Sequence, residues 1–477
     1  MTRIQPFRGW RYHLAAAGAA SLNKLLTPPY DVISPAQQAA YYDRHPDNVI
    51  RIELARDEFH DNDLHNRFTR AAATLSDWQQ RGVLRQEAAP AIYLLRESYT
   101  LPDGHQATRS GMIFRLRLAP WGQGILPHEH TFPAAKADRL ALTIATGTQC
   151  SPIFVLYADP AGRAQEPLNA TTAQRPPDGL LHDDEGVEHE LWAVTDEQAV
   201  AAVADALERT TFYIADGHHR YETALNYQRW RRGGPLPDSP LPAPLSNWSA
   251  VPNFEAGSQP LPAGLHGFDY AWVYAACMDH PGVAILPTHR CIHDLPGFDV
   301  EHLLAGLGKH FQVTPVDSDE ALLAGLADGG EKPGGEKPSF FRRSSVSKSV
   351  FALVVPNQPG GYLLRMRADE ATTARLLADH SPTVAAVDVA ALQSLVLGPL
   401  LGIPADPTEL KRFVAFTPDA GEAILGARDG RYQAVFLVNP TPLAQLKSVS
   451  DAGEVMPPKA TYFYPKLPAG LVINTVT

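Results

Sequence analysis

The chain has 477 residues, 44% apolar and 19% charged, and 41 Lys and Arg against 52 Asp and Glu leave a formal net charge of −11. That composition is globular and excludes a disordered or fibrous chain. Three cysteines, Cys150, Cys277 and Cys291, form no C-x-x-C pair, which excludes a disulfide framework or a zinc ribbon and suits a reducing compartment. They read as buried small apolar residues. No stretch approaches about 18 consecutive apolar residues, and no secretory h-region opens the chain, so a soluble, cytoplasmic protein without a membrane role is expected. An acidic balance with no basic block argues against nucleic acid as a partner, because counterion release needs clustered Lys and Arg.

In chain order, helical periodicity marks Pro35–Arg44, His60–Arg81, Lys136–Thr146, Asp196–Glu208, His218–Arg231, Val300–His310, Glu370–Leu377, Val387–Leu400, Asp419–Leu425 and Pro442–Asp451. Strand-like runs cover Ala91–Thr100, Met112–Leu118, Ile153–Ala158, Leu191–Thr195, Thr211–Ala215, Trp272–Met278, Val283–Leu286, Phe351–Val355, Tyr362–Met366 and Gln433–Val438, with a hairpin turn at Pro102-Asp103-Gly104. Hairpins and strand-to-helix steps alternate irregularly, which favours an α+β or mixed α/β class over an all-parallel sheet. Two proline- and glycine-rich stretches, Arg231–Gly264 and Ala327–Ser349 with its GGEKPGGEKP duplication, read as mobile loops without chemistry. The chain reads as an N-terminal α/β segment (1–90), a β-rich region with a core (91–235), a strand-hairpin segment completing that core (265–326) and a C-terminal α/β region (350–477), the last two boundaries falling at these stretches.

The sharpest local signal is Thr211–Ala224, TFYIADGHHRYETA, an apolar β run ending in Asp216-Gly217 and entering a helix at His218 and His219. Gly217 can take positive φ and let a ligand approach the backbone, while the helix start offers N–H groups and the positive end of its dipole to a phosphate. His218, His219 and Arg220 add donors at the same point. A simple capped helix accounts for Asp216 and Gly217, but hardly for two histidines and an arginine in one turn.

A second cluster, Pro127-His128-Glu129-His130-Thr131, precedes Lys136 and Arg139 at a helix start. Glu129 can act as general base or magnesium ligand, and Lys136 with Arg139 can hold an anion; a solvated, ion-paired helix start is the alternative. His128 and His130 lack a third zinc ligand placed by spacing. Leu286-Pro287-Thr288-His289-Arg290 closes a predicted strand, where open α/β sheets place ligand contacts. Thr27-Pro28-Pro29-Tyr30-Asp31 is a rigid turn leading to a Ser34 helix cap, with Asp31 as a further possible acid. Lys459–Lys466 mixes cations with aromatics suited to a pocket wall. No P-loop, G-x-G-x-x-G or G-x-S-x-G is present in the sequence.

Nine motifs in order resemble domain-of-unknown-function family 1015: PFRG with Arg11-Tyr12, PPYDVI, HPDN with Arg51, PHEHT, KADRL, SPIF, ADGHHRYETA, LPTHR and MPPKATYFYPKL. The DGHHR element is also similar to the phosphate-binding turn of the ParB/sulfiredoxin-like superfamily, which includes free serine kinases. This resemblance implies a nucleotide-binding core with β-rich insertions and a phosphate site at Asp216, Gly217, His218, His219 and Arg220. It implies a kinase of free serine or a similar hydroxyl compound, with ATP or ADP and Mg²⁺. In that scheme Asp216, Glu129 or His218 serve catalysis, and Lys136, Arg139, His289 and Arg290 balance phosphate charge; which carboxylate is the base stays open among Asp216, Glu129 and Asp31. Two other functions compete: a non-catalytic nucleotide-binding regulator, and a metal-dependent hydrolase built from His128, Glu129, His130, Asp216, His218 and His219.

Overall fold

The computed structural model describes residues 3–236, 241–254, 264–328, 349–367 and 369–476. The fold is mixed α/β. The chain forms two compact units: residues 1–126, 131–283 and 465–477 make one, and 127–130 with 284–464 make the other.

In the first unit, nine strands among the described residues form one sheet. Across it run Ile125–Leu126, Phe212–Asp216, Ile153–Tyr157, Tyr270–Cys277, Gln106–Arg117, Ile92–Thr100, Glu188–Val194 and Gly179–His182, with Ile4–Gln5 added beside Gln106–Arg117. Tyr270–Cys277 lies parallel to Ile153–Tyr157 and antiparallel to Gln106–Arg117, and Phe212–Asp216 lies antiparallel to Ile153–Tyr157 and parallel to Ile125–Leu126, so the sheet is mixed. Side chains alternate across the pleat: Ile92, Leu94, Met112, Phe114, Val273 and Ala275 enter one apolar core. A separate core gathers Trp78, Leu140, Ile144, Tyr227 and Trp230 from helices Arg67–Gln80, Pro133–Thr146 and His218–Arg231.

The helix expected from His60 begins instead at Arg67, because Asn66 accepts from the Phe68 and Thr69 amides and Thr69 answers back to the Asn66 amide. The proline-rich stretch after Arg231 is also corrected where it is described, since Leu245 and Val251 are buried in the helix-side core instead of lying on a mobile loop. The GGEKP duplication lies outside the described residues. Cys150 and Cys291 are buried as expected, whereas Cys277 is only partly covered. No helix among the described residues is long and apolar enough to cross a membrane.

The second unit carries a fully antiparallel sheet in the order Phe311–Val316, Gly361–Met366, Val350–Val354, Ala434–Leu437, His289–Ile292 and Val414–Thr417. Phe351, Leu353, Leu364 and Phe436 pack on one face with Leu303, Leu307, Leu392 and Leu395. Ala352, Val354 and Val435 pack on the other with Leu322 and Ala423. The helix read over Val387–Leu400 is α-helical only over Asp388–Leu392 and widens into a π turn over Gln393–Leu397.

A buried charge network crosses the first sheet. Arg109 donates to Glu97 at 2.7 and 3.0 Å with both side chains fully buried, and the Tyr274 hydroxyl donates to Glu97 at 2.9 Å. His189 lies 3.5 Å from Glu97 and 3.0 Å from Asp183. Burial alone pushes the His189 imidazole down, but hydrogen bonds and charges from Asp183 and Glu97 outweigh it and leave the group above its ordinary 6.5. A raised folded-state pKa contributes stability that is fully present below about 6.5 and is lost as pH rises through the folded value. The stability difference between wild type and His189→Gln is therefore expected to shrink steadily on going from pH 5.5 to 9. Denaturant titrations across that range check this, and a difference independent of pH contradicts a charged His189.

Candidate active site

The strand-turn-helix element read from the sequence is present as Phe212–Asp216 followed by helix His218–Arg231. The pairing of Phe212–Asp216 with Ile153–Tyr157 slips between Ile214 and Asp216, so Ala215 is an extra residue and the bulge re-aims the Asp216 carboxylate. Gly217 follows as N-cap at φ 94, and no cap side chain covers the helix start. A Cβ at Gly217 would lie 2.9 Å from Arg220 Nε and 3.0 Å from its Cζ, so the missing side chain is what lets the guanidinium fold back across the turn.

Arg220 donates to Asp216 Oδ2 at 2.6 Å and to the Pro152 carbonyl, and the charges of Asp31, Tyr30 and Glu53 also act on it. Burial pushes the guanidinium pKa down, and Asp216 first, then Asp31, raise it above the ordinary value. Lys466 Nζ stands 3.5 Å from Asp216 Oδ1. His219 Nε2 accepts from the Phe132 amide at 2.9 Å, which leaves the ring proton on Nδ1, while His218 is buried.

The cations expected to hold an anion nearby are already engaged. Lys136 donates to Glu222 at 2.6 Å, and the Thr131 hydroxyl donates to the same carboxylate. Arg139 is buried, donates to Asp138 at 2.5 and 2.8 Å and to the Glu53 carbonyl at 2.7 Å, and lies 4.0 Å over the Tyr30 ring. Burial raises the Glu53 carboxyl above its ordinary value, against the pull of Arg139 and a 2.6 Å hydrogen bond from Ser151. These residues anchor the helix and the PPYD turn. Asp31 itself is exposed.

A cavity of about 300 Å³ in the same unit is lined by Thr27, Pro28, Tyr41, Arg44, Asp183 and Lys466, among others. Lys466 therefore belongs both to the cavity wall and to the Asp216 turn. Sequence reasoning missed Tyr41, Arg44 and Asp183 because nothing in their spacing distinguishes them from surface residues. It placed Lys466 in an aromatic stretch without a partner.

In the second unit, PHEH, LPTHR and MPPKAT converge. The Met456 amide donates to the His128 carbonyl at 2.8 Å, His128 Nε2 lies 2.9 Å from Thr461 Oγ1, and the Lys459 amide is 3.5 Å from Glu129 Oε1. His130 is exposed. His289 and Arg290 do not close the preceding strand; they open the separate strand His289–Ile292, in the interior of the six-stranded sheet. His289 Nδ1 accepts from the Val438 amide at 3.2 Å, and burial with the Arg290 charge drives its pKa down to about 4. Among the described residues no three His, Cys, Asp or Glu side chains gather as a metal site, and the six residues of the hydrolase scheme are divided between the two units.

Fold and site together define a mixed α/β protein whose first unit presents a glycine-opened helix start ringed by Asp216, Arg220 and Lys466. The chain belongs to the family described as protein of unknown function (DUF1015), whose model matches residues 4–390. No curated protein matches it in sequence. Among solved structures it is similar to a free serine kinase in complex with AMP, at 11% identity and a TM-score of 0.31, over 76% of this chain and 92% of the kinase. A mutant of a free serine kinase in complex with ADP matches at 10% identity and a TM-score of 0.31, over 76% and 92%. A conserved hypothetical protein from Pyrococcus furiosus matches at 12% identity and a TM-score of 0.31, over 75% and 93%.

Proposed function

We propose that the protein is a small-metabolite phosphotransferase, a kinase acting on free serine or a similar hydroxyl compound with ATP or ADP as donor. The observation that carries this reading is the Gly217 turn: a helix start with no cap side chain, flanked by the Arg220 guanidinium and the Lys466 ammonium. Such a start holds phosphate through backbone N–H groups and the helix dipole, and the cations offset the charge that the transferring phosphoryl group spreads over its oxygens. Arg220, tied to Asp216 and Pro152, holds the turn in shape. The cavity beside Lys466 receives the remainder of a ligand.

Of the three carboxylates considered for taking the hydroxyl proton, Asp31 is the one supported within this unit. It is exposed and its charge reaches Arg220, whereas Asp216 is held by two cations. Mg²⁺ fits a site of this kind, because it is commonly held by one or two carboxylates plus substrate phosphates and water, without a cage of protein ligands. The reading is tested by thermal shift with ATP, ADP, AMP, CTP and pyrophosphate, with and without Mg²⁺, followed by a phosphorylation screen of serine and related alcohols. A nucleotide-dependent rise in the midpoint is expected, since a ligand binding only the folded state stabilises it by mass action. No shift with any phosphate compound rejects the proposal.

A further inference from the structure

Among the described residues, the second unit buries a positive charge without a negative one to meet it. Arg290 is 3% exposed, and its polar partners among the described residues are backbone carbonyls: Thr288, Lys459 at 3.1 Å and Pro458 at 3.5 Å. The Phe416 ring lies 5.4 Å from its guanidinium carbon. Burial drives the guanidinium pKa down to about 9, and no carboxylate acts to restore it. Compare Arg109, Arg139 and Arg220 of the first unit, each buried against at least one carboxylate. A buried guanidinium is costly unless its charge is answered, and carbonyl dipoles answer it only in part.

An independent feature lies within the same three residues. Thr288 is 4% exposed and its buried Oγ1 has no hydrogen-bond partner among the described residues, although Arg290 reaches back to the carbonyl of that very residue. Within three residues, the Thr288 hydroxyl lacks a partner and the Arg290 charge lacks a carboxylate among the described residues. His289, between them, points to the other face of the strand, where it accepts from Val438. The turn over the guanidinium ends at Lys459, which is exposed, so this end of the strand lies close to the surface.

We infer that Thr288 and Arg290 form an anion site in the second unit that takes a compact oxyanion, the phosphate or carboxylate group of a small metabolite. A planar or tetrahedral oxyanion matches the guanidinium fork, and its remaining oxygen accepts from the Thr288 hydroxyl. The inference does not depend on the kinase reading.

The test is isothermal titration calorimetry of the full chain with inorganic phosphate, acetate and chloride at constant ionic strength, in an Arg220→Ala background that disables the Gly217 turn. Binding of phosphate or acetate near one per chain is expected, weakened at least tenfold by Thr288→Val and by Arg290→Lys, with chloride inert. Phosphate alone binding identifies a phosphoryl ligand, and acetate alone a carboxylate. No oxyanion binding, or binding unchanged by Thr288→Val, overturns the inference. Thr288→Val keeps the shape of the side chain, so it serves if Arg290→Lys does not fold. Loss of nucleotide response in the otherwise wild-type chain with oxyanion binding intact rejects the kinase reading and leaves this site standing.

Discussion

Arg220→Ala is expected to eliminate nucleotide-dependent stabilisation and to lower phosphoryl transfer by a factor of about 10²–10³, the scale of removing one preorganised donor from a charge-stabilising site. The guanidinium closes the Gly217 turn by gripping Asp216 and the Pro152 carbonyl, so its loss leaves Asp216 to Lys466 and opens the bulged strand end. At a ligand concentration of about 100 times Kd, wild type gains roughly 2.7 kcal/mol by mass action, and the variant forfeits that gain. Arg220→Lys separates charge from geometry: it keeps the positive charge but cannot span both partners, so an intermediate shift is expected. The check is the difference in thermal midpoint with and without nucleotide, taken within each variant so that altered basal stability cancels. An undiminished shift in Arg220→Ala moves phosphate away from this turn.

Arg109→Met is expected to cost about 3–5 kcal/mol, because it leaves Glu97 buried without its main counter-charge. For a unit of nearly 300 residues that amounts to a fall of roughly 5–8 °C in the midpoint of its transition. Glu97→Leu combined with Arg109→Met removes both charges and is expected to recover most of the loss, since a well-packed apolar pair often matches a buried ion pair. Calorimetric melting of the two variants beside wild type decides this; a single variant within about 1 kcal/mol of wild type would mean that the pair contributes little. The effect extends to the site. Arg109 also donates to the Pro465 carbonyl at 2.8 Å, one residue before Lys466, so Arg109→Met is expected to loosen the ammonium facing Asp216 and to weaken ligand binding as well.

Legibility followed the range of the interactions involved. Helices Pro35–Arg44 and His218–Arg231 have the ends that periodicity and local signals predict: Ser34 and Gln37 cap one reciprocally, and Gly217 opens the other. The geometry of the Asp216-Gly217 turn was readable because a positive φ is a property of one residue. The Asn66 cap was missed, although the sequence carried it, because the apolar pattern upstream imitates another helical turn. Strand His289–Ile292 was hidden because its burial comes from Val414–Thr417 and Ala434–Leu437, more than a hundred residues downstream.

Class, motif positions and the backbone geometry of the DGHHR turn are local matters, settled by side-chain type, pattern and turn geometry within a few residues. Which cations face which anions is not, because ion pairs and hydrogen bonds form across whatever the packed sheets bring together. Asp216 meets Lys466 across 250 residues, and Glu129 meets Lys459 across 330. Likewise Lys136 and Arg139, alike in sequence as anion holders, are spent on Glu222 and on Asp138 with Glu53, while Arg290 is left without a carboxylate. Charge compensation depends on distance in space, and only the folded chain sets that distance.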